Sequence, residues 1–225
     1  MKKKIIIFGG SSFIAKEVSK FLAYKYDIVS FSQKSVKIKN VKTIRTNYTT
    51  KSIIKNLDKI INKNNKAIFL FFNSLADKKI FIKNTEKEIF NILKINQILP
   101  ITLTNSILKR FFFNKPIFLY MSSSRAKGGD KGITLYSTTK NALSVFSHNM
   151  AMEYGKFGLI FKVILLGLFK GGLKNKLSKN NNKKILDRTF NNKYVEVEQL
   201  IKTLEFCFND TASNGTEINC DNGYN

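Results

Sequence analysis

KIIIFGGSSFIAKEVSKFLAY, residues 4–24, is the stretch that decides the fold. Lys4 to Phe8 is a short, continuously apolar, β-branched run, as expected of a strand buried on both faces of a parallel sheet. Gly9, Gly10, Ser11 and Ser12 interrupt it, and a helical pattern follows from about Phe13 to Tyr24. Strand, glycine turn and helix, in that order, bring a helix N-terminus and its free N–H groups to a point where the pyrophosphate of a dinucleotide can bind. The glycine pattern is incomplete, because Phe13 and Ala15 stand where later glycines of such a turn are expected.

Downstream, the same alternation repeats. Asp27 to Phe31 reads as a second strand, Val41 to Arg45 as a third and Ala67 to Phe72 as a fourth, which runs into Asn73, Ser74, Leu75 and Ala76. A helix is expected over about Thr50 to Asn62. A long one is expected from Thr85 to Phe113, with Asn96 inside it and Pro100 kinking it or ending its first part. Ile117 to Met121 is a central strand, and Leu159 to Leu166 and Glu217 to Cys220 are the last two. Helices cover Tyr136 to about Tyr154 and Val197 to Phe208. This order specifies an α/β chain, a Rossmann-type doubly wound parallel β-sheet flanked by helices in a single domain over 1–225. Ligands in such sheets bind beyond the carboxyl ends of the strands, where Gly9, Asn73, Ser123 and Gly167 fall. The Lys/Asn-rich stretch at about 171–193 reads as a mobile substrate lid.

No Asp or Glu occurs from Ile28 through Leu57, so the acid that would bind a bare adenosine ribose after the second strand is missing. Ser32, Gln33 and Lys34 stand there instead, groups that suit a 2′-phosphate. The expected cofactor is NADP(H), with NAD(H) as the alternative.

The stretch FLYMSSSRAKGGDKGITLYSTTKN, residues 118–141, carries the chemistry. Tyr136 and Lys140 are spaced i, i+4 and share one face of a helix. An ammonium beside a phenol favours the phenolate and lowers the tyrosine pKa from about 10. A tyrosine so tuned can exchange a proton with a substrate oxygen near neutral pH. Ser123, delivered from the end of a strand, can hydrogen-bond the same oxygen.

Composition narrows the classes. The 225 residues carry 39 Lys and Arg against 15 Asp and Glu, a formal net charge of +24. Only Arg45, Arg110, Arg125 and Arg188 are arginine, whereas readers of phosphate and base edges favour arginine forks. The lysines are spread along the whole chain, so a specific nucleic-acid function is not indicated. Cys207 and Cys220 are too few for a metal site or a disulfide framework, and no metal is expected. The lone His148 reads as a surface or interface residue. The apolar run after the N-terminal lysines is too short for a signal peptide, and no stretch approaches the ~20 apolar residues of a membrane span. The expectation is a soluble, cytoplasmic protein.

With these landmarks in place the chain resembles a short-chain dehydrogenase/reductase of the compact, single-domain type, over nearly its full length. Ser123, YSTTK (Tyr136 and Lys140) and Asn96 match the family's Ser, Tyr-x-x-x-Lys and helix Asn. NSLA stands in place of Asn-Asn-Ala-Gly, GLFKGGL (Gly167 to Leu173) in place of the Pro-Gly turn, and GTEINCDNGYN at the family's close. RTFNNKYVEVEQL, residues 188–200, is similar to the segment before that close in 3-oxoacyl-[acyl-carrier-protein] reductases. The resemblance implies an oxidoreductase with Asn96, Ser123, Tyr136 and Lys140 as catalytic residues, the Asn96 side chain holding a water that relays protons to Lys140. It implies a cofactor site formed by Gly9, Ser11, Ser12, Phe13 and Ile14, by Ser32, Gln33, Lys34 and Asn47, and by Asn73, Ser74, Tyr136, Lys140, Gly167 and Phe169. The substrate would be a small carbonyl or alcohol: a 3-oxoacyl thioester, or a sugar or polysaccharide-pathway intermediate. Lid lysines 174, 176, 179, 183 and 184 would suit an anionic carrier. The resemblance also implies a homodimer or homotetramer through the long helices, with Phe111 to Phe113 as a possible contact or core. The eroded glycine loop leaves a second reading open, a cofactor-sensing or scaffold protein with little catalysis.

Overall fold

The computed structural model describes residues 2–62, 66–77, 79–128, 130–169, 183 and 186–224. Its strands are β1 (Lys4–Phe8), β2 (Asp27–Ser32), β3 (Lys42–Arg45), β4 (Ala67–Phe71), β5 (Ile117–Ser123), β6 (Ile160–Leu166) and β7 (Glu217–Cys220). They form one parallel sheet in the order β3-β2-β1-β4-β5-β6-β7. The order reverses between β1 and β4, which opens a crevice beyond their carboxyl ends. Phe8 is in register with Phe31 on one side and Phe71 on the other, so the three strands end level.

Helices α1 (Phe13–Leu22) and α6 (Val197–Asn209) cover one face, and α2 (Thr50–Asp58), α4 (Leu99–Phe111) and α5 (Thr134–Tyr154) the other. The alternation of each strand divides the core. Ile5, Ile7, Ile28, Leu70, Leu119 and Ile164 pack under α1 and α6. The opposite face is aromatic: Phe31 to Phe8, Phe8 to Phe71 and Phe71 to Tyr120 have ring centroids 5.5, 5.0 and 5.0 Å apart, and Phe118 stacks on Phe161 at 4.9 Å. Each such pair adds about 0.5–1.5 kcal/mol beyond the area it buries. A chain with 20 Phe and no Trp thus places much of that bulk in one layer.

The expected long helix from Thr85 to Phe113 is divided. α3 (Glu86–Leu93), opened by a Thr85–Glu88 capping box, passes into a π-helical turn at Lys94–Ile98 and then into α4. Pro100 lies just after the irregular turn, in the first turn of α4. It has no N–H to offer the carbonyl of Asn96, four residues back, and the widened turn accommodates that loss. α2 also stops earlier than expected, at Asp58. Of the phenylalanine run, Phe111 is core, Phe112 packs against Tyr154 and Phe157, and Phe113 is exposed. His148 is exposed on α5. No described helix is long and apolar enough to cross a membrane.

One buried charge ties the far edge of the sheet. Lys162 on β6 is fully buried, and its Nζ donates to the backbone carbonyl of Asp210 at 2.6 Å and to Asp210 Oδ2 at 2.8 Å. The Lys162 ammonium first, and the Ser213 hydroxyl and N–H next, hold the Asp210 carboxyl well below the usual carboxylate range. Removing one partner of such a pair strands the other in the core. Asp210→Ala is therefore expected to lower Tm by roughly 5–10 °C, and Lys162→Met by less, in thermal unfolding at pH 7. Because the carboxyl pKa is depressed on folding, the wild-type advantage is present above about pH 4 and fades as acid titrates the group below that value. An advantage unchanged at pH 2 contradicts this account.

Candidate active site

α5 carries Tyr136 in its first turn and Lys140 one turn later, and β5 delivers Ser123 at its carboxyl end. Lys140 is buried, and its Nζ donates to the carbonyls of Asn73 and Met121, both at 2.8 Å. Burial pushes its pKa down to about 7. The Tyr136 phenol hydrogen-bonds the side chains of Ser123 and Ser74. Its pKa lies above the ordinary value, where a lowered one was expected. Burial raises it, and this outweighs the lowering by the two serines and by the charge of Arg125. The Lys140 ammonium is directed to backbone carbonyls, which explains why its charge does not set the phenol.

Two buried side chains fix this arrangement from outside α5. The helix has Ile133 at its N-cap, with no side-chain cap hydrogen bond. Asp77 supplies the cap from 58 residues away: its carboxylate accepts from Leu135 N at 3.1 Å and Tyr136 N at 3.0 Å. A carboxylate at a helix N-terminus satisfies orphan donors and complements the helix dipole. Nothing in the spacing of the sequence marked Asp77, and only the short gap from Asn73 hinted at it. Asn96, in the π turn, is completely buried. It accepts from Leu75 N at 2.7 Å and donates to Leu75 O at 2.8 Å and Thr139 Oγ1 at 3.0 Å. Both amide donors are thus engaged by protein, so the side chain pins the loop after β4, where a water-holding role was expected.

At the other end of the crevice, Gly9 has φ +83°, and a Cβ there would lie 2.7 Å from Phe72 C. A Cβ on Gly10 would meet Ser30 Oγ at 1.9 Å. Ser12 caps α1 by accepting from Ala15 N at 3.2 Å, beside the half-buried Ser11. Phe13 occupies the first helical position, 40% exposed, while Ile14 packs against the core. Tyr48, which the sequence reading passed over, adopts φ +57° and sets its hydroxyl between Gly9 N, from which it accepts, and Phe31 O, to which it donates at 2.6 Å. Burial pushes this phenol up to about 12. The neighbouring Asn47 accepts from the N–H and hydroxyl of Thr49, both at 3.2 Å.

After β2, Gln33 and Lys34 are exposed, whereas the Ser32 hydroxyl is turned to Lys34 O at 2.6 Å. Arg45 Nε donates to Gln33 O at 3.3 Å and brings to this turn a fork that was not singled out from the sequence. Gly167 allows Asp221 to approach, since a Cβ there would lie 2.6 Å from Asp221 Cα. Phe169 is buried in the core and its backbone pairs with Val195, so its side chain does not face the crevice. Most of the expected lid, including lysines 174, 176, 179 and 184, lies outside the described residues.

The residues fit a dinucleotide. The glycine turn and the first N–H groups of α1 meet at the crevice, and Asn73 Oδ1, at the end of β4, is buried without a protein partner. The described residues contain no cluster of side chains able to hold a metal ion.

A nucleotide-type crevice adjoining a Ser-Tyr-Lys group, its serine and lysine buried and its tyrosine half-buried, defines an α/β oxidoreductase architecture. The short chain dehydrogenase family pattern matches residues 3–182, and the chain belongs to that family of oxidoreductases. It is 24% identical over 226 residues to the 3-oxoacyl-[acyl-carrier-protein] reductase FabG of Buchnera aphidicola subsp. Baizongia pistaciae, covering 94% of this chain and 92% of that one. Among solved structures it resembles ElxO with NADP bound, at a TM-score of 0.87 and 18% identity over 100% of this chain and 99% of that one. It also resembles 4-hydroxyisoleucine dehydrogenase complexed with NADH, at 0.84 and 16% over 98% and 97%.

The cap from Asp77 has a direct test. Asp77→Ala is expected to speed amide hydrogen exchange of Leu135 and Tyr136 by about tenfold or more, the scale of a lost N-cap, while exchange in α6 stays constant. Asp77→Asn, which keeps one acceptor, should fall between. Equal exchange in all three proteins would remove Asp77 from this role.

Proposed function

We propose that this chain is an NADP(H)-dependent reductase of a carbonyl substrate, or a dehydrogenase of the matching alcohol. The observation that carries the reading is the half-buried Tyr136 phenol, bonded to two serine hydroxyls one helical turn from Lys140. The bound nicotinamide supplies or accepts the hydride. Ser123, with Ser74 beside it, orients the substrate oxygen. Tyr136 gives its phenolic proton to that oxygen as the carbonyl carbon is reduced, and a phenol held above its ordinary pKa is fully protonated at neutral pH for that task. Lys140, pushed down to about 7, exchanges protons readily there, and a water between the two can carry one back to the phenolate. The backbone carbonyl of Asn96, to which Pro100 offers no N–H, is the acceptor at which a relaying water can be held.

Preference for NADP(H) is supported by Lys34, Gln33 and Arg45 around the turn after β2, where no carboxylate lies nearby in sequence. The name of the Buchnera relative suggests a 3-oxoacyl substrate. Exposed Ile98, Val145 and Met152 on the helices of one face favour self-association there. Phe13 at the first position of α1 favours the second reading, a cofactor-sensing or scaffold protein.

Two measurements decide. Tyr136→Phe is expected to lose at least ~10²-fold in turnover of a reducible ketone, the lower end for general acid catalysis; near-normal turnover sinks the assignment. Titration with NADPH and NADH at fixed ionic strength, followed by nicotinamide fluorescence, is expected to give saturable binding with NADPH the tighter. Preference for NADH would overturn the 2′-phosphate argument alone, and binding of neither would favour the scaffold reading.

A further inference from the structure

Tyr48 takes no part in the chemistry above, yet its hydroxyl sits where three strand ends meet. It donates its one proton to Phe31 O on β2 at 2.6 Å and accepts from Gly9 N, just past β1. It also accepts from the side-chain amide of Asn73, just past β4. One donor and two acceptor positions are all that such a hydroxyl has, and all three are taken. The backbone of Tyr48 has φ +57°, in the left-handed region where a bulky side chain is an outlier. Its N–H donates to Thr46 Oγ1 at 3.2 Å, and its side chain packs against the core on the aromatic face of the sheet. A conformation of this kind persists only where its surroundings hold it, and such residues gather at ligand sites.

The commitment of that single proton decides what Asn73 offers. Because Phe31 O holds it, the Tyr48 oxygen can only accept from Asn73, so the amide presents Nδ2 to it. Turned over, the amide would set Oδ1 against the phenol oxygen, two acceptors face to face. The backbone carbonyl of Asn73 is engaged as well, by Lys140 Nζ at 2.8 Å. Oδ1 is thereby left as a buried acceptor without a hydrogen-bond partner. The group that suits such an atom is a donor: a ribose hydroxyl fits it and a phosphate oxygen does not.

We propose that Tyr48 is a positioning residue for the dinucleotide: its hydroxyl sets the glycine turn at Gly9 and holds the Asn73 amide so that Oδ1 accepts from a ribose hydroxyl. The inference rests on the oxidoreductase reading and deepens it. It names a residue through which this chain holds its cofactor where its glycine pattern is broken at Phe13 and Ala15.

The test removes the hydroxyl alone. Tyr48→Phe keeps the ring and its packing but takes the acceptor from Gly9 N and frees the Asn73 amide to turn over. The Kd for NADPH, read by nicotinamide fluorescence at fixed ionic strength, is expected to rise about tenfold, the scale of a buried donor left unmet. Turnover of a reducible ketone at saturating NADPH should stay within about threefold, because Ser123, Tyr136 and Lys140 are untouched. Ile54→Ala, on α2 against the same core, is the control for lost stability: it should lower Tm and leave Kd unchanged. An unchanged Kd in Tyr48→Phe, a Kd raised as much in Ile54→Ala, or a kcat that falls as far as Kd rises overturns the proposal.

The nicotinamide-free fragment 2′-phospho-ADP-ribose, titrated by calorimetry, separates this inference from the reading beneath it. If the wild-type protein binds the fragment and not NADPH, the oxidoreductase reading fails, and weaker binding of the fragment by Tyr48→Phe still supports the role of Tyr48. Equal binding of the fragment by both proteins overturns that role, and binding of neither nucleotide by the wild type overturns both. Should Tyr48→Phe not fold, hydrogen exchange in the wild-type protein decides: Gly9 N–H is expected to be protected and slowed further by NADPH. Rapid exchange at Gly9, or exchange that NADPH does not slow, overturns the proposal.

Discussion

A single ammonium closes the site. Lys140 Nζ sits between the carbonyls of Asn73, just past β4, and Met121, on β5, and so joins the ends of two neighbouring strands to the helix above them. Placing a charge there is unfavourable, as its depressed pKa records, and the two carbonyls offset part of that cost. The segment after β4, once fixed in this way, returns its own contacts. Ser74 reaches the Tyr136 phenol, Leu75 holds both ends of the Asn96 amide, and Asp77 caps the first turn of α5. Each group is held by another element, so the geometry belongs to the network and not to α5 alone.

That origin explains what the sequence could disclose. KIIIF and AIFLF read as buried strands because burial on both faces demands unbroken apolar runs, and the Tyr136–Lys140 spacing is fixed by helical geometry alone. Contacts between distant segments leave no such signature. Asp77 and Leu135 are 58 residues apart, and Tyr48 reaches Gly9 across 39. The direction of the Tyr136 pKa was misread for the same reason: the sequence names a neighbouring lysine but not the depth of burial or where the ammonium points. Pro100 correctly signalled an irregular helix, yet the irregularity sits before it, because a proline disturbs the carbonyl four residues back and not its own turn.

The glycine loop separates two kinds of constraint. A Cβ on Gly9 would run into the backbone at the carboxyl end of β4, and one on Gly10 would force the Ser30 hydroxyl on β2 to turn away. Their presence is required by the chain itself. Position 15 has no such restriction, and its methyl is fully buried in the core beneath α1; position 13 carries a ring that is 40% exposed. The first two glycines therefore say little about a ligand, and the loss of the later ones says little against one. The argument for a dinucleotide rests on groups the fold does not consume: Asn73 Oδ1, buried without a hydrogen-bond partner just past β4, and the exposed Lys34 after β2 and Arg45 at the end of β3.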